Sequence, residues 1–306
     1  MKATQKRRKA KRLNVFSIVM MAPAVIVAGG FIIYPLFLAL YMSLREKETL
    51  NFINMPPSPL SLVNYQRLLT DPKTYTAIAN SLIYMGLATL FAFLIGLALA
   101  LLMNKDVWGR RFFRTSLLLP WAVPSIVVVL SFVWIEDSSY GVLNFLLSQL
   151  GLIHEYIPWF ASRKFAMAAV LIPTVWHSYP FYGLMLLASM QSIPVELYEA
   201  CHIDGGNRIQ TFANITWPSI KSTAVLALVL NGLGIFKNVD YIMTTTGGGP
   251  NYATTTLAMQ IYNSAFTNFK MARASALGII TLAICLLLVC LAFSAVKERY
   301  FGGTES

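Results

Sequence analysis

The stretch VELYEACHIDGGNRIQTFANITWPSI, residues 195–220, places three acids and a glycine pair between two strongly apolar segments. Pro194 suits the start of a helix, because the first turn leaves amide protons unpaired and proline has none to lose. Glu196 and Glu199 follow in the first turns, where the helix dipole favours negative charge. Gly205–Gly206 then ends the helix, and a second amphipathic segment follows. The pattern predicts a short helix, a glycine turn and a second helix.

The composition of the whole chain decides which solvent these helices meet. Of the 306 residues, 57% are hydrophobic and 12% are charged, whereas soluble domains are about half apolar and a quarter charged. Six apolar runs have the ~20 residues that a helix needs to cross the hydrocarbon layer. These runs are 16–44, 77–103, 112–135, 165–190, 222–243 and 274–296. The sequence therefore predicts an all-α membrane protein with six transmembrane helices.

Lysine and arginine placement predicts the orientation of the spans, because cytoplasmic segments retain positive charge. With the N-terminus inside, the inner segments carry 15 of these residues and the outer segments carry 8. Both termini are therefore expected in the cytoplasm. The net charge of +11 collects at the membrane flanks, so no nucleic-acid partner is expected.

The domain organisation follows from this orientation. The expected parts are a basic cytoplasmic tail (1–15), a first transmembrane helix with an extracytoplasmic segment (16–76), a core of five transmembrane helices (77–297) that includes a cytoplasmic loop (194–220), and a cytoplasmic tail (298–306).

The sequence contains no motif that predicts catalysis. It has no G-x-x-x-x-G-K phosphate loop, no G-x-S-x-G nucleophile motif, and no metal-ligand spacing among its three histidines. We therefore expect a non-catalytic chain with no metal site and no cofactor of its own. The polar features that remain must serve solute passage, docking of a partner, or both.

The order of residues after Tyr198 resembles the cytoplasmic "EAA" loop of permeases from binding-protein-dependent ABC importers. That pattern is Glu-Ala-Ala, a glycine four residues on, and a hydrophobic-Leu-Pro end. The residues that match it are Glu199, Ala200, Gly205 and Pro218. The residues that depart from it are Cys201, Gly206 and Trp217. These are small changes that leave the helix and the turn intact.

Three further motifs resemble the carbohydrate-uptake branch of the same family and follow its order along the chain. They are RRFFRTSLLLPWAVP (110–124), YGVLN (140–144) and TTGGGPNYATTTL (245–257). Pro120 and Pro124, within the first of these, predict a kink in the third span. The resemblance implies a type I importer permease fold in the cytoplasmic (inner) membrane.

The resemblance also implies partners. Such importers contain a second, homologous permease, a dimer of ATPase subunits that binds ATP and magnesium, and an extracytoplasmic solute-binding protein. The EAA helix is then the coupling helix that docks in a groove of the ATPase. The residues that the resemblance assigns to this docking are Glu196, Tyr198, Glu199, Ala200, Ile203, Asp204, Gly205 and Gly206.

Polar residues within the fourth and fifth spans predict where the substrate passes, because such residues are costly in lipid and usually face a cavity or another helix. They recur at helical spacing, and in position they resemble the two faces that line the sugar site of family members. The candidate pathway residues are Thr174, His177, Ser178, Phe181, Tyr182, Asn231, Gly234 and Asn238. Amides and hydroxyls can bind sugar hydroxyls while an aromatic ring covers the apolar sugar face. Hydrogen bonding to neighbouring helices is the alternative role for each of them.

Together these features favour a permease subunit that carries a sugar or related polyol. A permease for a phosphorylated polyol such as glycerol phosphate is one alternative, because such permeases resemble the sugar ones closely. A self-sufficient ion-coupled secondary transporter is an alternative of another class. The secondary transporter is the weaker alternative, because such a protein needs buried acids and usually an internal repeat. Here Asp240 is the one candidate acid within the spans, and the two halves of the chain show no clear self-similarity.

Overall fold

The computed structural model describes residues 20–48, 57–105 and 109–301, without the side chains of residues 110, 111 and 295–301. Within these ranges the chain is helical and has no β-strand. The expected basic tail (1–15), the first residues of the first span and the end of the C-terminal tail lie outside the described residues.

The helices follow one another with short connections. They are α1 (20–28), α2 (Tyr34–Ser43), α3 (Val63–Thr70), α4 (Pro72–Met103), α5 (Arg110–Leu117), α6 (Leu119–Ala122), α7 (Ser125–Ile135), α8 (Val142–Gln149), α9 (Ala166–Gln191), α10 (Val195–Ile203), α11 (Arg208–Thr211), α12 (Trp217–Lys237), α13 (Asp240–Thr245), α14 (Leu257–Tyr262) and α15 (Met271–Phe301). Single π-helical turns, at Gly29–Ile33, Phe212–Thr216 and Asn263–Thr267, interrupt or extend some of them.

Four helical segments are long and apolar enough to cross a membrane. They are Met20–Ser43, Pro72–Met103, Arg208–Thr245 and Met271–Ser294. A fifth span is present if the bent pair Phe112–Ala122 and Ser125–Ile135 counts as one. The two halves of that pair meet at 91°, so the predicted kink in the third span is a complete break.

The predicted fourth span corresponds to α9, a helix of 26 residues. It is long enough to cross a membrane but is absent from the apolar spans, because its histidine, tyrosines and prolines lower its mean hydropathy. It is nevertheless among the most buried helices, with twelve buried residues. A helix that hydropathy alone would not identify as a span is therefore one of the most buried in the fold.

The packing centres on α4 and α9, and α12 packs against both of them. A row of small residues on α4 lies at the interface: Ala88, Ala92, Gly96 and Ala100. Small residues at this spacing let two helix backbones approach closely, and such close packing drives helix association in membranes. At Gly96 a Cβ atom would lie 2.6 Å from Tyr182 Cβ and 2.8 Å from the amide nitrogen of Gly183.

The chain divides into two compact units. Of the described residues, the first contains those up to Leu68 and the segment Ser264–Ile280; the second contains those of 69–263 and those from Thr281 onward. In the first unit, the amide group of Asn64 donates to the carbonyls of Ser43 (3.1 Å) and Arg45 (2.7 Å). These bonds fix the turn that follows α2.

Two of the motifs found in the sequence form hydrogen-bonded turns in the second unit. The buried Asn144 of YGVLN accepts from the Trp159 indole at 3.0 Å and donates to the Ile157 carbonyl at 3.0 Å. In the TTGGGPNYATTTL segment, the amide group of Asn80 on α4 donates to the carbonyls of Tyr252 (2.9 Å) and Thr255 (3.0 Å). Both motifs therefore hold connections in place.

Glu136 lies one residue beyond the spanning helix α7 and is completely buried. Among the described residues, neither of its carboxylate oxygens has a hydrogen-bond donor. Burial without a partner disfavours the charged form and raises the pKa of Glu136 from 4.5 to about 8. Burial therefore favours the protonated form of this carboxyl in the folded chain.

We expect Gly96→Ala to destabilise the fold, because the new methyl group would contact the α9 backbone rather than a movable side chain. The loss should be about 1–3 kcal/mol, seen as a lower denaturation temperature in detergent. Gly86→Ala on the same helix is the matched control, since its Cβ would meet no atom within 4 Å. That control should be neutral or stabilising through helix propensity. Equal stability of the two variants would contradict the packing account.

We expect the stability of the wild type to fall relative to Glu136→Gln as the pH rises. Between about pH 4.5 and pH 8, the folded chain binds one proton more than the unfolded chain at this site. The wild type then loses ~1.4 kcal/mol for each pH unit. Thermal denaturation of both proteins across this pH range measures the difference. Glu155→Gln, at an exposed acid, is the control, and a constant difference between wild type and Glu136→Gln would refute the prediction.

Candidate functional site

A cavity of about 400 Å³ opens among α4, α9, α12, α13 and the break between α6 and α7. On α9 its lining residues recur at intervals of three and four residues, so one face of that helix forms a wall. The complete lining is Tyr84, Trp121, Ser125, Thr174, His177, Ser178, Phe181, Leu230, Asn231, Gly234, Ile235, Asn238 and Tyr241.

Seven of the eight candidate pathway residues line this cavity; Tyr182 is the exception. Its ring is completely buried and packs edge-on against Phe181, with ring centroids 5.7 Å apart. Its hydroxyl donates to the side-chain oxygen of Asn231 at 3.3 Å, so it supports a lining residue from behind. The structure thus brings the candidate residues together, and their contact with a substrate remains a prediction.

Sequence reasoning missed six of the lining residues. They are Tyr84, Trp121, Ser125, Leu230, Ile235 and Tyr241. Trp121 and Ser125 stand on either side of the helix break, and the two prolines of LLLPWAVP were the available signal for it. Tyr84 sits in a long apolar run, where nothing in the sequence indicates which side faces a cavity.

Hydrogen bonds hold the polar groups of the cavity wall. The Thr174 hydroxyl donates to the Val170 carbonyl at 2.8 Å, so its oxygen accepts from the Tyr84 hydroxyl at 2.7 Å. Tyr84 and Thr174 are each 1% exposed, and this bond joins α4 to α9. The Ser125 hydroxyl donates to the Asp240 carboxylate at 3.2 Å and joins α7 to α13.

The cavity combines hydroxyl, amide and aromatic groups without a fixed positive charge. The described residues that line it include no lysine and no arginine. Ser178 and Asn231 offer hydrogen-bonding groups, while Trp121 and Phe181 offer flat apolar faces. This chemistry suits a neutral, hydroxyl-rich molecule.

The second candidate site is the stretch at residues 195–220, where the predicted helix, turn and helix are confirmed. Helix α10 has no buried residue and ends before Gly205, whose φ of +76° favours glycine. Asn207 and Gln210 then form a capping box at the start of α11. The second helix continues through Phe212–Thr216 into α12, so it is continuous with the next apolar segment.

Most of the candidate docking residues are exposed on this stretch. Those that are exposed are Glu196, Glu199, Ala200, Ile203, Asp204 and Gly205. Ile203 is 86% exposed and so offers apolar surface on this stretch. Tyr198 is half-buried, with its hydroxyl 3.2 Å from that of Thr216. Gly206 is also half-buried, and its Cβ position lies 2.8 Å from the Cys201 carbonyl oxygen, so alanine would not fit there.

The helical fold, the apolar spans and the central cavity define an integral membrane protein of the transporter class. Residues 92–299 match the family described as "Binding-protein-dependent transport system inner membrane component", and the chain belongs to this family. The resemblance found in the EAA stretch is therefore confirmed, and with it the permease subunit of an ABC importer with a type I fold.

Named relatives extend this comparison over most of the chain. The sulfoquinovosyl glycerol transport system permease protein SmoG of Agrobacterium fabrum is 33% identical over 286 residues, which cover 94% of this chain and 92% of the relative. The trehalose/maltose transport system permease protein MalF of Thermococcus litoralis is 34% identical over 249 residues, covering 80% of this chain and 81% of the relative.

A solved structure shares the fold. A bacterial ABC transporter involved in the import of the acidic polysaccharide alginate contains a chain that aligns with a TM-score of 0.79. The alignment covers 97% of this chain and 99% of the other, with 24% sequence identity. At this identity the likeness establishes the fold alone.

We expect Thr174→Val to destabilise the protein more than Tyr84→Phe does. The valine leaves a buried tyrosine hydroxyl without its acceptor, at a cost of about 1–3 kcal/mol, whereas the phenylalanine removes that hydroxyl. The double variant should lose less than the sum of the two single losses, because both changes act on one bond. Thermal denaturation of the four proteins in detergent completes this cycle. Losses that are equal and additive would show that the two hydroxyls are not bonded.

Proposed function

We propose that this chain is the membrane-spanning permease subunit of an inner-membrane importer and that a sugar or related polyol passes through its cavity. The observation that carries this proposal is the chemistry of the cavity lining, which among the described residues has hydroxyl, amide and aromatic groups and no lysine or arginine. The names of two relatives, which refer to sulfoquinovosyl glycerol and to trehalose and maltose, support a sugar. A phosphorylated polyol would favour a cationic group in the lining, so the cavity favours a substrate without phosphate.

We infer six spans with both termini in the cytoplasm. The four apolar segments, the bent pair counted as one span and α9 together make six. The polarity that removes α9 from the apolar spans has a physical reason, because Thr174, His177 and Ser178 face the cavity rather than lipid. A helix with one face on a polar cavity can cross a membrane with less lipid-facing apolar surface than a helix surrounded by lipid.

In this proposal α10 is the coupling helix that an ATPase subunit binds. Its exposed acids and the exposed Ile203 offer both charge and apolar surface to a groove. The chain itself takes no part in ATP hydrolysis, which belongs with its magnesium to the ATPase dimer. A second permease would complete the pathway, and a solute-binding protein would deliver the substrate from outside.

Purification of the tagged chain from its native membrane tests this proposal. We expect mass spectrometry to identify an ATPase, a second permease and a solute-binding protein in the purified material. The ligand released by that binding protein on denaturation should be a sugar or polyol. If instead the chain purifies alone and moves solute into vesicles without ATP, an ion-coupled transporter replaces the importer.

We expect Glu199→Ala and Gly205→Ala to uncouple ATP hydrolysis from transport. The first removes a charge from the docking helix, and the second places a Cβ at a left-handed φ, at a cost of about 1–2 kcal/mol for that turn. The reconstituted complex should continue to hydrolyse ATP while uptake of the sugar falls several-fold.

Two matched variants control for charge and strain. Glu155→Ala removes an exposed acid elsewhere, and Gly151→Ala places a methyl group in open space at a φ of +68°. Both should keep wild-type coupling. Full transport by the Glu199 and Gly205 variants would count against the coupling role of α10.

A further inference from the structure

The break between α6 and α7 leaves a backbone carbonyl without its helical partner. In a continuous helix the Val123 carbonyl would accept from the amide of Val127. That amide donates instead to the Pro124 carbonyl at 3.0 Å. Because a peptide group without a partner is costly in a membrane, the Val123 carbonyl needs another donor.

His177 on α9 supplies that donor. Its Nε2 lies 3.0 Å from the Val123 carbonyl oxygen, which can only accept, so Nε2 carries the proton. Its Nδ1 lies 2.7 Å from the Tyr241 hydroxyl on α13. In the neutral ring Nδ1 is an acceptor, so the tyrosine donates to it. Both ring nitrogens are therefore occupied, although the ring borders the cavity.

A second contact joins the same elements on the other side of the break. Ser125, the first residue of α7, donates to Asp240, the neighbour of Tyr241 in α13. Two consecutive residues thus attach α13 to the break. Asp240 bonds to Ser125 directly, and Tyr241 connects to Val123 through His177.

The break carries one wall of the cavity. Trp121 lies two residues before Val123, is 54% exposed and lines the cavity, as does Ser125 two residues after it. Another wall of the cavity includes Ser178 and Phe181 on α9, the helix that carries His177. The bond from His177 to Val123 therefore spans the two walls and fixes the position of one relative to the other.

We propose that His177 is a positioning residue, which braces the broken span against α9 and α13 and so holds the Trp121 wall of the cavity in place. It does not bind the substrate, because neither of its nitrogens is available. This assignment replaces the direct pathway role that its sequence position suggests. The proposal rests on the proposed function only in treating the cavity as a substrate pathway. The hydrogen bonds of His177 do not depend on what the chain transports.

Nitrogen-15 NMR of histidine-labelled complex in lipid nanodiscs tests the brace directly. The chain has three histidines, so the signal that disappears in His177→Gln belongs to His177. We expect a protonated Nε2 and an unprotonated, hydrogen-bonded Nδ1, with the Nδ1 signal shifted in Tyr241→Phe. A ring protonated at Nδ1, or one that exchanges between tautomers, would overturn the proposal.

Thiol labelling measures the position of the wall. In a background with Cys201, Cys285 and Cys290 replaced, the Trp121→Cys variant is treated with a maleimide in the purified complex, without any sugar. We expect the labelling rate to change several-fold when His177→Phe removes both bonds. His177→Gln should restore most of the wild-type rate, because its amide can still donate to Val123.

Tyr241→Phe keeps the fold testable if the His177 variants are unstable. It leaves the bond to Val123 in place, so we expect a smaller change in labelling. Unchanged labelling in His177→Phe would show that the wall does not depend on the brace. Since neither readout requires transport, a failed sugar assignment leaves this test intact, and a failed brace leaves the importer assignment intact.

Discussion

Hydrocarbon offers no hydrogen-bond partner to a peptide group, and most of what is particular to this fold follows from how the chain meets that constraint. Long helices satisfy their own backbone. Where the helices break, between Ala122 and Ser125 and again between Lys237 and Asp240, a side chain bonds to one of the freed backbone groups. His177 accounts for the first break, and Asn238 for the second, where it accepts from the Tyr241 amide at 3.4 Å. Residues at both breaks, Ser125 and Asn238 among them, line the cavity together with residues of α9.

The same constraint explains why polar residues concentrate on α9. A polar side chain in a span must face a cavity or a partner, and on α9 they do both. Thr174 borders the cavity and bonds to Tyr84 on α4, while His177 borders it and bonds to two other elements. Close approach of α4 and α9 at Gly96 brings these groups within reach of one another. Packing and pathway are therefore built from the same residues.

Much of this could be predicted from the sequence because the relevant signals are local. A helix of about 20 apolar residues, a glycine needed at a left-handed φ and a proline pair each leave a mark at their own position. The bend at Pro124 was underestimated, since proline predicts a kink but not its angle. The spacing of Thr174, Ser178 and Phe181 identified one wall of the cavity, because residues three and four apart share a helix face.

The sequence by itself determined that the chain lies in a membrane, where its main helices lie and to which family it belongs. It also determined that polar residues recur on one face of α9 and on one face of α12. Each of these features depends on residues that are close together in the chain. Only the tertiary structure decided which groups meet. That Trp121 and Phe181 line the same cavity, and that both nitrogens of His177 are occupied, depends on helices that are far apart in sequence and packed together. Composition records how costly a polar group is in lipid, but only the packed helices decide which partner it has.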